Sequence, residues 1–170
     1  MPDAALPYHG KLYRALNPIY AREPLSGEGA RRHGGRFNPK GTPALYASLS
    51  VMTAIREANQ VGSLQPTTLV CYEAAFDAIF DIREPANLAA YGMTEDDLAL
   101  STWRDEMRRL GASKTQILAR ALIDEGYQGM LARSFAAGSV AEDINLVLWT
   151  WGTAPPCQLT LIDEEGRLSR

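Results

Sequence analysis

Between Ser26 and Tyr46 the chain reads SGEGARRHGGRFNPKGTPALY. This stretch mixes glycines with four cations, Arg31, Arg32, Arg36 and Lys40, and closes on an apolar run shaped like a strand. Glycine and lysine add little to a core, so packing alone does not call for such a segment. It reads instead as a connection between strands whose glycines let the backbone approach a ligand closely. A loop both cationic and glycine-rich suits phosphate or a nucleotide.

The rest of the chain is arranged around that segment. Lys11 to Ala15 alternates and predicts a short strand; Leu16 to Gly35, broken by Pro18 and Pro24, predicts a loop. Ala44 to Ala47 predicts a second strand. Ser50 follows as the N-cap of a helix with an apolar stripe of Val51, Met52, Ile55 and Ala58. Glu57 lies off that stripe, free to face a cleft or solvent. Thr67 to Phe76 is a strand candidate that Ile79 to Ile82 extends. Short helices follow at Pro85 to Tyr91 and after Thr94, where Asp97 completes a capping box. Trp103 to Leu110 and Thr115 to Glu125 are amphipathic helices ended by Gly111 and Gly126. Three apolar runs, Gln128 to Ala132, Ile144 to Trp151 and Cys157 to Ile162, complete the sheet. Strands at both ends with helices between predict a single α+β domain over residues 1–170.

Charge and composition exclude several classes. With 170 residues and a formal net charge of −3, the molecule as a whole is no nucleic-acid coat, so the cationic segment stands out against an acidic background. No run of about 18 apolar residues is present, which argues against a spanning helix. The N-terminus MPDAALPYHG lacks a basic and then an apolar region, so the expectation is a cytoplasmic protein. Cys71 and Cys157 sit in strand-like runs and are expected to be core thiols. His9 and His33 lack metal-ligand spacing, so no metal is expected.

Arg36, Tyr46 and Glu57 fall on a loop, a strand and a helix, and converge if the helix packs back on the strand. A cation for a diphosphate, an aromatic face for a base and a carboxylate for a cationic sugar suit cleavage of the glycosidic bond to nicotinamide. Each residue also has a plainer role. Arg36 can cap a turn, Tyr46 can be core, and Glu57 can be solvated. Arg14 can be an edge-strand charge and Ser134 a turn residue.

The combination says more than its parts. Tyr13 and Arg14, the run GEGARRHGGRFNPKGTPALYAS, Glu57, GMLARSF (Gly129 to Phe135) and INLVLWTWG (Ile144 to Gly152) together resemble the RES-domain toxins, which pair with Xre-like antitoxins. The order and spacing of Arg36, Tyr46, Glu57, Ser134 and Asn145 carry the likeness; Phe37 stands where the family often has Trp. The resemblance implies an ADP-ribosyltransferase-like fold with a split, mostly antiparallel sheet and surrounding helices. It implies NAD as substrate, with Arg14 and Arg36 on the diphosphate or ribose side, Tyr46 at nicotinamide and Glu57 as the catalytic acidic residue. Tyr13, Ser134 and Asn145 would belong to the same cleft; between Ser134 and Ser139, the Arg-Ser pair after a strand favours Ser134. Arg31 and Arg32 are expected to add positive charge for the substrate. The implied partner is a small helical antitoxin that blocks the cleft.

The acceptor of the ADP-ribose stays open. Transfer to a cellular protein is preferred, because the long Leu16 to Gly35 loop offers a docking surface for one. Destruction of NAD by water or phosphate is the alternative. A non-catalytic nucleotide- or RNA-binding module is the weakest reading, since aromatics do not interleave with the cations and Glu57 would repel phosphates.

Overall fold

A computed structural model describes residues 2–60 and 62–168. The strands are β1 (Leu6–Leu16), β2 (Leu45–Ser48), β3 (Thr68–Asp81), β4 (Gly129–Arg133), β5 (Ile144–Leu148) and β6 (Cys157–Leu161). The helices are α1 (Glu28–His33), α2 (Val51–Ala58), α3 (Pro85–Ala90), α4 (Glu95–Ala99), α5 (Trp103–Leu110) and α6 (Lys114–Asp124).

The strand order β1-β2-β5-β4-β3-β6, with β1 also paired to β3, closes five strands into a small barrel. The length of β3 makes closure possible. One of its edges carries β1 from Thr68 to Ile79; the other carries β6 at Tyr72–Phe76 and β4 at Ile79–Asp81. All of these strand pairs are antiparallel except β3–β4. The α+β class and the mostly antiparallel sheet therefore follow the sequence expectation, but the sheet is continuous and curls onto itself.

Alternation along the strands separates two apolar layers. Leu12, Leu45, Tyr72, Phe76, Leu131, Leu146 and Leu148 fill the barrel interior. Phe80, Met130, Val147 and Trp149 point the other way, against Leu88, Leu98, Leu118 and Leu122 of α3, α4 and α6. The exposed face of this outer layer, over β2, β5 and the end of β4, is where a cleft opens.

Three local expectations change. The Leu16 to Gly35 segment is not irregular throughout: it holds a 3-10 turn at Pro18–Tyr20, capped by the Asn17 side chain, and α1. Ser50 does cap α2, accepting a bond from the Thr53 N–H, but the helix buries Thr53 and Ala54. Val51 and Met52 of the expected apolar stripe lie outward. A helix of eight residues turns whichever face its best polar anchor demands, and that anchor is Thr53. Cys71 and Cys157 are free thiols, half-buried instead of in the core.

Candidate active site

The cleft has a volume of about 690 Å³. Its floor is the outward face of three neighbouring strands: Tyr46 and Ser48 of β2, Asn145 and Val147 of β5, and Ala132 of β4. Tyr13 and Arg14 of β1 extend it on one side, where Tyr13 pairs in register with Ser48. Glu57 of α2 reaches Asn145 of the Ser48–Asn145 row, and residues 33–37 and α5 complete the lining.

Glu57 is held by side chains. Its Oε1 accepts from the Ser134 hydroxyl and from Asn145 Nδ2 at 2.6 Å; its Oε2 accepts from Gln60 Nε2 at 2.7 Å. Asn145 is itself oriented, accepting from the Ser48 hydroxyl at 2.7 Å. Ser134 is buried and reaches the carboxylate; Ser139 donates instead to the Ser134 carbonyl at 3.0 Å.

Asp143 brings these groups into register. Its carboxylate accepts from Thr53 Oγ1 and Arg56 Nη1 of α2, each at 2.6 Å, and from the Val140 N–H at 2.8 Å. Its backbone carbonyl accepts from the Ser134 N–H at 2.7 Å. One residue thus ties the helix bearing Glu57 to the turn bearing Ser134. The Thr53 hydrogen bond, the Val140 N–H and the Arg56 charge hold this carboxyl below its ordinary pKa, against the opposing effect of burial.

The Arg36 loop is gripped through its backbone. Gly35 and Asn38 form a bridge, and Gln116 Nε2 of α6 donates to both of their carbonyls, at 2.9 and 3.2 Å. Trp149 Nε1 donates to the Phe37 carbonyl at 2.8 Å. The Tyr46 hydroxyl donates to Asn38 Oδ1 at 2.6 Å and accepts from the Phe37 N–H at 3.1 Å. Burial raises the Tyr46 hydroxyl far above the ordinary tyrosine value, so it stays protonated. Gly35 is required here, since a Cβ would collide with the Tyr46 hydroxyl and the Asn38 side-chain oxygen. Asn38, fully buried, also donates to the Ala30 and Thr42 carbonyls at 2.9 and 3.0 Å.

Arg36 itself donates Nη1 to the Leu98 and Leu100 carbonyls at the end of α4, at 2.8 and 2.9 Å. Its guanidinium lies 4.9 Å from the Phe135 ring centre and 5.9 Å from that of Trp103. Burial, then the nearby Arg104, lowers its pKa, with Glu57 acting in the opposite direction. Arg36 and Glu57 therefore face the same space. Arg14 lines it too, donating to the Pro24 carbonyl at 3.3 Å.

The arginines of α1 take another course. Arg31 and Arg32 both bind Glu28, at 2.6 and 2.9 Å, on the exposed face of the helix, and neither lines the cleft. Spacings of three and four residues on one helix satisfy these charges locally. Lys40, already singled out in the sequence, does line the cleft, and Arg104, Arg108 and Arg133 join it as cations from other elements. The cations of α5 were hidden in what reads as an amphipathic helix. The available signal was Arg104 and Arg108, one turn apart and next to Trp103. Among the described residues Glu57 is the one acidic side chain in the lining. No cluster of three or more His, Cys, Asp or Glu suited to a metal occurs among those residues, and no helix there is long and apolar enough to cross a membrane.

The chain is 34% identical over 93 residues to proteins named NAD(+) phosphorylase MbcT from Mycobacterium bovis and Mycobacterium tuberculosis. The matched segment is 48% of this chain and 50% of each relative, so it spans about half their length. The RES domain family matches residues 11–169, a range that takes in every residue lining the cleft and all of the barrel except the first residues of β1. By that match the chain belongs to the RES domain family.

Proposed function

We propose that this protein splits the nicotinamide–ribose bond of NAD and passes the ADP-ribose to inorganic phosphate. The observation that carries the reading is one carboxylate, Glu57, fixed by Ser134 and Asn145 in a cleft whose other charged lining residues are cations. Nicotinamide leaves with the electron pair of the broken C–N bond, and positive charge develops on the ribose. Glu57, held as an acceptor, stabilises that charge. Arg14 and Arg36 take the diphosphate, with Tyr13 beside them, and the Tyr46 ring faces the base. A phosphate oxygen then bonds to the sugar carbon, giving ADP-ribose 1″-phosphate.

Phosphate rather than a protein side chain is favoured as acceptor by the activity named for the mycobacterial relatives and by the surplus of cations in the cleft. The exposed Ile19 and Tyr20 of the 3-10 turn are what would serve a protein acceptor. We read the fold as ADP-ribosyltransferase-like. The biological role we assign is that of a toxin that drains NAD, restrained by an Xre-like antitoxin covering the cleft.

Incubation of the purified protein with NAD, with and without phosphate and cell extract, tests this. The expected result is phosphate-dependent release of nicotinamide and ADP-ribose 1″-phosphate in buffer alone. Label held on one protein band would move the assignment to protein transfer. Free ADP-ribose without phosphate dependence would move it to hydrolysis, and intact NAD in all conditions would overturn it.

A further inference from the structure

We infer that Arg133 binds the incoming phosphate, and that Glu95 holds Arg133 in place when phosphate is absent. The inference rests on the phosphorolysis proposed above and adds to it the residue that recognises the second substrate. The acceptor must reach the sugar carbon that Glu57 faces, so its counter-charge must come from that end of the cleft. Lys40, Arg104 and Arg108 lie on or beside α1 and α5, elements that contribute no hydrogen bond to Glu57. Arg36 spends Nη1 on two carbonyls and lies against Phe135, while Arg14 binds the Pro24 carbonyl. Arg133 ends β4 and immediately precedes Ser134, whose hydroxyl binds Glu57; the residue lines both the cleft and, with Glu95, the neighbouring cavity beside α3 and α4, so its guanidinium has only to leave Glu95 to serve the cleft.

Its present partner is replaceable. Arg133 Nη1 donates to Glu95 Oε1 at 2.6 Å, and the side chains are 43% and 64% exposed. A pair that open to water contributes little. Phosphate carries more charge than a carboxylate and matches the guanidinium fork bidentately. Phosphate entering the cleft can therefore displace Glu95 from Arg133. The reaction balances without further reactants: the phosphate P–O⁻ forms the new bond to the sugar carbon as the C–N bond breaks, and nicotinamide departs neutral.

Steady-state kinetics with NAD and inorganic phosphate varied independently, and products resolved chromatographically, test the assignment. Arg133→Ala should raise KM for phosphate about tenfold or more. It should leave KM for NAD within about twofold, and water should capture part of the sugar as free ADP-ribose. Arg133→Lys should recover part of the loss by supplying charge without the fork. Glu95→Gln should lower KM for phosphate, which a merely structural role for either residue would not produce. An unchanged phosphate KM in Arg133→Ala, or an equal rise in both KM values, would overturn the inference while phosphorolysis itself stood. A wild-type protein with no phosphate dependence would instead remove the reading on which it rests.

Discussion

Glu57 is held by the side chains of Ser134, Asn145 and Gln60, whereas the loop bearing Arg36 is held largely through its backbone, by Gln116, Trp149 and Tyr46. The two walls of one cleft thus depend on different things. On the carboxylate wall every partner is a donor aimed at one oxygen or the other, so function depends on which atoms accept. On the loop wall the N–H and carbonyl of Phe37 are what the polar surroundings grip, while its ring is buried in the outer apolar layer beside Phe135. The backbone itself must come close at Gly35.

The largest effect should come from the carboxylate wall. Glu57→Gln keeps a carbonyl oxygen that can accept from Ser134 and Asn145, so the fold should persist. Loss of the negative charge should lower NAD cleavage roughly a hundred- to a thousandfold, measured as nicotinamide release beside an unchanged circular dichroism spectrum. Full cleavage by this variant would detach the chemistry from that wall. On the loop wall, Tyr46→Phe leaves Asn38 Oδ1 and the Phe37 N–H without their partner. About 1–3 kcal/mol of stability should be lost in urea titrations. A smaller loss would mean that water or a neighbour repairs the clamp.

The joint beneath Glu57 should show itself in acid. The folded-state pKa of Asp143 is lowered, so its contribution is present above the ordinary aspartate value and is lost as pH falls through the lower folded value. Asp143→Asn should flatten that acid limb and reduce stability at neutral pH, as followed by melting temperature against pH. An acid limb unchanged by the substitution would place the sensitive carboxyl elsewhere. The smallest effect is expected from Arg31→Ala with Arg32→Ala, whose charges are exposed and answered by Glu28. NAD turnover and melting temperature should stay at wild-type values; a marked loss of turnover would bring α1 into the cleft wall.

Much of this architecture was legible as pattern. Alternation placed β3 and the apolar runs at β4, β5 and β6, and capping chemistry placed Ser50, Thr94 and Asp97. The spacing of Arg36, Tyr46, Glu57, Ser134 and Asn145 drew together residues 109 positions apart at their ends, and all but the buried Ser134 line the cleft, with Ser134 bonded to Glu57 beneath it. The anchors were not legible. Gln116 and Asp143 are polar residues that reach Gly35, Asn38, Thr53 and Arg56 from far off in sequence, and nothing in their neighbours marks them as buried.

What the residues determined by themselves was local: which segments alternate, where helices begin, and that a glycine-rich cationic segment precedes a strand. Those properties arise from backbone sterics and from contacts a few residues long. Tertiary structure decided which charges the cleft receives. Arg31 and Arg32 find Glu28 within a helical turn and are withdrawn, while Arg104, Arg108 and Arg133 arrive from distant elements. It also decided which face of α2 is buried, because Thr53 and Arg56 follow Asp143, and Asp143 reaches them only once the barrel has closed.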